Sequence, residues 1–123
     1  MGQGNANFKS SDLAKFGFLI LNKGQWKNSR ALSQEAISKI GEANEIINWN
    51  WLEQDNNPDK DKSKYGYQWY KTTFHLNGKT FDSTRSWCNG GQFIFVVPAL
   101  DAVVVFTGSN QGNKADFISL VEF

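Results

Sequence analysis

A chain of 123 residues is one domain at most and long enough for a sizeable core, and 40% apolar with 15% aromatic residues mark it as folded rather than disordered. Thirteen basic against twelve acidic residues give a formal charge of +1, with no basic stripe of the kind a phosphate backbone requires, so nucleic acid is not an expected partner. No apolar run approaches the roughly 20 residues that span a bilayer, Met1-Gly2-Gln3-Gly4-Asn5 shows no signal peptide, and Cys88, standing alone, excludes an intrachain disulfide and leaves the compartment open.

In chain order, residues 1–52 are mainly helical in period. Ser10 and Ser11 are candidate caps for a helix whose first turn carries Asp12, where a carboxylate suits the positive end of the helix dipole. Leu13, Phe16, Ile20 and Leu21 fall on one face, and Asn22-Lys23-Gly24 is the stop. Ser33 opens a second, shorter helix with Ala36, Ile37 and Ile40 on its buried side and Gly41 at its close. The mixture of Asn and large apolar residues from Asn44 to Trp51 fits no single element, and residues 53–64 read as a polar, solvated loop.

Residues 65–108 change to a period of two. Tyr67 to Leu76 is aromatic and β-branched, Asn77-Gly78 is a strong hairpin signal, and Lys79 to Trp87 reads as the more polar returning strand. Gln92 to Val97 and Ala102 to Thr107 are apolar at successive positions, so both are expected to be interior strands covered on each face, joined by the turn Pro98-Ala99-Leu100-Asp101. Residues 115–123 place Phe117, Leu120 and Val121 on one face of a starting helix. The expected class is α+β: two helices, an antiparallel meander, and the beginning of a third helix.

Several motifs imitate chemistry and are better explained without it. Gly78-Lys79-Thr80 ends like a phosphate-binding loop, but Thr73 stands where the first Gly belongs, and a hairpin turn accounts for the triplet. Asp55, Asn57, Asp59 and Asp61 alternate like calcium ligands, yet Lys60 and Gly66 replace the turn Gly and the bidentate Glu. His75 is the sole histidine, which excludes a His-rich metal site and makes it the only base for a Ser-His-Asp triad. Cys88 has no second histidine to activate it and reads as a buried thiol, and Tyr65, Tyr67, Trp69 and Tyr70 read as core before ligand groove. No metal and no cofactor is expected.

One constellation is specific. The run Trp87-Cys88-Asn89-Gly90-Gly91-Gln92, the strand to Val97, then Pro98-Ala99-Leu100-Asp101 and the Val-rich strand to Gly108 closely resembles the late sheet segment of serine β-lactamase-like hydrolases. That superfamily includes class C β-lactamases, penicillin-binding D-alanyl-D-alanine carboxypeptidases and related esterases and amide hydrolases. Upstream, Ser11-Asp12-Leu13-Ala14-Lys15-Phe16-Gly17 with Leu21-Asn22-Lys23-Gly24 and Trp26 looks like the family's mid-chain helix and its exit. Tyr65-Gly66-Tyr67-Gln68-Trp69 looks like its Tyr-Gly-Tyr-Gly-Trp entry to the sheet, with Gln68 in place of the second Gly.

The resemblance implies acyl-transfer hydrolysis of a lactam, peptide, ester or amide, a small-molecule acyl substrate in the parent protein, and a family whose members are often periplasmic or exported. It also implies what this chain lacks. The family nucleophile is the Ser of Ser-x-x-Lys, whose lysine takes the proton, and no serine here has a lysine three residues later. The second motif, Tyr-x-Asn or Ser-x-Asn, is missing too, so no catalytic residue is expected within the chain. The third motif, Lys-Thr-Gly or His-x-Gly in the family, maps onto Asn89-Gly90-Gly91, with Asn89 where a cation or imidazole normally sits. Gly91 would admit a ligand close to the backbone, and the Gln92 N–H would be an oxyanion donor. An Asn-Gly turn leading into a buried strand is the plainer reading of the same residues. Two accounts stay open: a C-terminal hydrolase segment inactive alone, or a self-contained binding domain that keeps the sheet. In the family the sheet's first strands come from the N-terminal part, so the strand Val103 to Phe106 is expected to have an unpaired edge and to invite a homo-oligomer.

Overall fold

The computed structural model describes residues 8–42, 45–46, 64–88 and 92–108, and they form an α+β domain. Helix α1 spans Ser10–Leu21, and a short hairpin follows it, with strands β1 (Gln25–Trp26) and β2 (Ser29–Arg30). Helix α2 is Gln34–Gly41. Six strands then make one antiparallel sheet in chain order: β3 (Glu45–Ile46), β4 (Lys64–Gly66), β5 (Trp69–Leu76), β6 (Lys79–Cys88), β7 (Gln92–Val97) and β8 (Ala102–Phe106). The expectations for residues 53–63 and 115–123, including the candidate calcium loop at Asp55, Asn57, Asp59 and Asp61, lie outside the described residues.

The start of α1 differs from expectation. Its N-cap is Lys9, which makes no side-chain cap, and Ser10 is already helical. Asp12 does sit in the first turn, where it pairs with Lys15 Nζ at 2.8 Å. Both partners are exposed, so that pair adds little. The stop is as read: the Lys23 and Gly24 amides bond back to the Ile20 and Leu19 carbonyls, both residues having positive φ. Helix α2 has the expected cap, with Ser33 Oγ accepting the Ala36 amide at 3.0 Å. That bond satisfies one of the four orphan N–H groups of a helix start.

The register sorts the sheet's side chains onto two faces. On one, Ile94 lies opposite Val105 and Val96 opposite Val103, with Trp69 on β5 at the same parity. These residues meet Ile20 of α1 in the central cluster, flanked by Leu13, Leu21, Ile37 and Ile40. Val96, 1% exposed, is its most enclosed member. Phe16, expected on the buried side of α1, is 54% exposed instead. The helix meets the sheet along the line of Gly17 and Ile20, its two buried residues, and Phe16 lies off that line.

Gly17 sets the distance between the layers. A Cβ there would stand 2.5 Å from Val103 Cγ1 and 2.9 Å from Ile94 Cγ2, so the helix backbone itself forms the contact. Strand β7 is buried at Phe93, Ile94, Val96 and Val97, which covers both faces as expected for an interior strand. Strand β8 corrects the matching expectation. Among the described residues it pairs only with β7, standing last in the sheet, and Val104 on it is 41% exposed.

Gly17→Ala is expected to destabilise the domain by about 1–3 kcal/mol through overpacking. Adding Val103→Ala should recover part of that loss, so that the pair is less destabilising than the sum of the singles. Urea unfolding of the four proteins measures the coupling; strict additivity would show that Gly17 and Val103 do not share this contact.

Candidate functional site

The candidate site is built around the junction of β6 and β7. Strand β6 ends at Cys88 and β7 begins at Gln92, and these two residues are register partners, so residues 89–91 join the ends of neighbouring strands. Asn89, Gly90 and Gly91 themselves lie outside the described residues. Gln92 is described. Its side-chain Nε2 donates to the Gly108 carbonyl at 2.8 Å, tying the start of β7 to the chain just beyond β8. Sequence reasoning assigned Gln92 a role for its backbone N–H and missed this side-chain role. The apolar pattern alone carries no signal for it, because the partner is a backbone oxygen 16 residues on.

The hairpins that deliver the chain to this junction follow local rules. Asn77 and Gly78 have φ of 50° and 74°, and Leu76 faces Lys79 across a two-residue turn. This is the geometry that makes Asn-Gly favourable, and it leaves Gly78-Lys79-Thr80 as a hairpin turn. His75 lies in β5 one residue before the strand's end at Leu76. The turn between β4 and β5 is less usual. Tyr67 and Gln68 both have positive φ, 53° and 66°, a conformation that costs a non-glycine residue roughly 1 kcal/mol or more. Gln68 occupies the position where the Tyr-Gly-Tyr-Gly-Trp pattern has its second Gly.

The aromatic set expected to pack in the core is divided. Trp69 and Tyr70 are buried, while Tyr67 is 65% exposed at the turn. Tyr67 borders an open groove of about 430 Å³ that is otherwise lined by α2 residues Glu35, Ala36, Lys39 and Ile40 together with Ser33. Its charged members pair with each other, Lys39 Nζ to Glu35 Oε1 at 2.7 Å. None of the residues from the β6–β7 junction lines it.

The sheet face away from α1 holds a group that sequence reasoning missed. Arg85, on the central strand β6, faces Tyr70 on one side and Phe95 on the other. Its guanidinium carbon lies 5.9 Å from the Tyr70 ring centroid. Burial pushes its pKa below the ordinary arginine value, and the nearby Tyr70 hydroxyl partly opposes that shift. Phe93 and Phe95 stack on the same face with centroids 5.6 Å apart, and Phe106 meets Phe95 edge-on. Among the described residues no group of three or more His, Cys, Asp and Glu side chains is placed to hold a metal ion, and no helix is long and apolar enough to cross a membrane.

Comparison with models of protein families finds none that matches the chain, and no curated protein matches it either.

Gln68→Gly is expected to stabilise the domain by roughly 0.5–1 kcal/mol, relief of the left-handed strain being partly offset by the greater freedom of Gly in the unfolded chain. Gln68→Val should destabilise, since a β-branched residue tolerates that φ poorly. Thermal unfolding of both variants checks the pair; equal effects would mean that the turn imposes no such conformation. Gln92→Leu should cost about 1 kcal/mol and speed amide exchange at Phe106 and Thr107, whereas unchanged exchange would show that the bond to Gly108 holds nothing in place.

Proposed function

We propose that this chain is the C-terminal sheet segment of a serine β-lactamase-like hydrolase, acting on a small acyl substrate (lactam, peptide, ester or amide) with a nucleophile supplied from outside these residues. The observation that carries the reading is the backbone at Gln68. The resemblance places a Gly at that position, and the chain adopts φ 66° there although its residue is Gln. A left-handed backbone is what a Gly in the family pattern would serve. The meander gives secondary support: β7 runs between β6 and β8, and β8 stands last among the described strands, the place where the parent's first strands would join the sheet.

On this reading the residues have distinct tasks. Asn89 orients the substrate carbonyl or carboxylate without contributing charge. Gly91 leaves the acyl group room at the backbone. The Gln92 N–H donates to the oxyanion of the tetrahedral intermediate, a contribution typically worth about 3 kcal/mol of transition-state stabilisation. The Gln92 side chain, through Gly108, holds the start of β7 against the end of β8 and so keeps that donor in position. The edge of β8, unpaired among the described residues, is also where a second copy would pair, giving a homo-oligomer when the parent's strands are not present.

The purified 123-residue chain is expected to hydrolyse neither a chromogenic β-lactam nor a short-chain nitrophenyl ester, because the Ser-x-x-Lys pair is not among its residues. Turnover that survives repurification and disappears on changing one residue of this chain would overturn the proposal.

A further inference from the structure

The second half of α1 is apolar all the way round. Phe16 to Leu21 is an unbroken non-polar run, and at about 100° per residue it covers more than a full helical turn. The sheet uses one side of that turn, where Gly17 and Ile20 are the buried residues of the helix. Phe16 and Phe18 lie on the two flanks of Gly17 and are 54% and 46% exposed. Leu19, two residues from Gly17, lies on the side away from the sheet and is half-buried. Phe18 rests edge-on against Trp26 of β1, with ring centroids 6.0 Å apart, which fixes its exposed position. A helix that is hydrophobic all round is expected to be covered on every side, and this one has its sheet on one side only.

Cations surround these side chains. Residues 8–33 carry the basic side chains of Lys9, Lys15, Lys23, Lys27 and Arg30, all exposed, against the single acid Asp12, which is paired with Lys15. The whole chain is only +1, so positive charge is concentrated in this part of the molecule. The turns put it beside the exposed rings. Lys23 follows the end of α1 and Lys27 sits in the turn between β1 and β2, both in left-handed backbone with φ 51° and 52°. Arg30 Nη1 donates to the Lys23 and Leu32 carbonyls, holding the hairpin against the end of α1. Among the described residues neither Lys23 nor Lys27 meets a carboxylate.

We propose that the outward side of α1, together with the β1–β2 hairpin, is a membrane-binding surface that seats on an anionic lipid bilayer. Phe16, Phe18 and Leu19 enter the boundary between headgroups and acyl chains, and Lys23, Lys27 and Arg30 meet the lipid phosphates around them. A bilayer suits this surface because lipids rearrange around a convex cylinder and wet both flanks at once, whereas a protein partner would have to supply a groove with acidic walls. The attachment is peripheral, since no helix among the described residues is long and apolar enough to cross a membrane. It does not rest on the hydrolase reading, because none of residues 89–92 takes part.

The test uses the whole chain and sedimentation with vesicles of phosphatidylcholine, with and without phosphatidylglycerol. The chain is expected to pellet with the anionic vesicles, to bind the neutral ones about tenfold or more weakly, and to be released as salt rises. Lys23→Asn combined with Lys27→Asn keeps the left-handed turns, which Asn tolerates, and should weaken binding about 25-fold, at roughly fivefold per cation. Phe16→Gln removes an exposed ring from the surface and should weaken binding to the same vesicles about tenfold. Thermal unfolding of both variants should stay close to that of the unaltered protein. If Phe16→Gln does not fold, the lysine variant and the dependence on lipid and salt decide. No pelleting with anionic vesicles, equal pelleting with neutral ones, or undiminished binding by the folded variants overturns the proposal. So does self-association without lipid that Phe16→Gln abolishes, which would assign the face to a second copy.

Discussion

The described architecture depends on how closely α1 approaches β7 and β8. At Gly17 the helix has no side chain to hold the sheet away, and Val103 and Ile94 occupy the space a Cβ would need. That approach lets Ile20 reach Ile94, Val96 and Trp69, and Leu13, Leu21, Ile37 and Ile40 close the cluster from the helical side. The partial exposure of Phe16 follows from the same geometry, because the helix rolls toward its smallest residue rather than toward its largest.

The sheet was more legible than the helix ends. Asn77-Gly78 specified both a turn and its register, since a two-residue loop with two positive φ angles leaves the flanking strands one pairing. The apolar runs Gln92 to Val97 and Ala102 to Thr107 marked two strands and the turn between them, but not which of their residues face α1, because neither run alternates. Lys9 acting as N-cap without a side-chain bond was not legible, because serines at 10 and 11 offer a better capping residue one position later. The short hairpin of β1 and β2 was missed for want of any apolar alternation in Gln25–Arg30. Its turn relies on Lys27 at φ 52°, a residue that carries no turn signal.

The candidate site was legible in part. The position of Gln92 at the opening of an interior strand followed from the resemblance and from the apolar run after it, and the structure adds the side-chain bond to Gly108. Arg85 was not legible. In sequence it sits in a polar strand, Lys79–Cys88, where a solvated face is the natural expectation. Only its central place, with β5 on one side and β7 on the other, turns an ordinary cation into a group with unmet hydrogen-bonding demand. Burial of single side chains within a polar strand is a property of the whole sheet, and no local pattern records it.

A chain that carries the sheet wall of a serine hydrolase needs the rest of the active site in covalent continuity with it or in a tightly bound partner. The most direct measurement is to read the coding sequence immediately upstream of Met1. The account predicts an open frame containing Ser-x-x-Lys, followed by Tyr-x-Asn or Ser-x-Asn, ahead of the segment that begins α1. An in-frame stop or an unrelated domain there would contradict it, and would leave a binding domain built on the same meander.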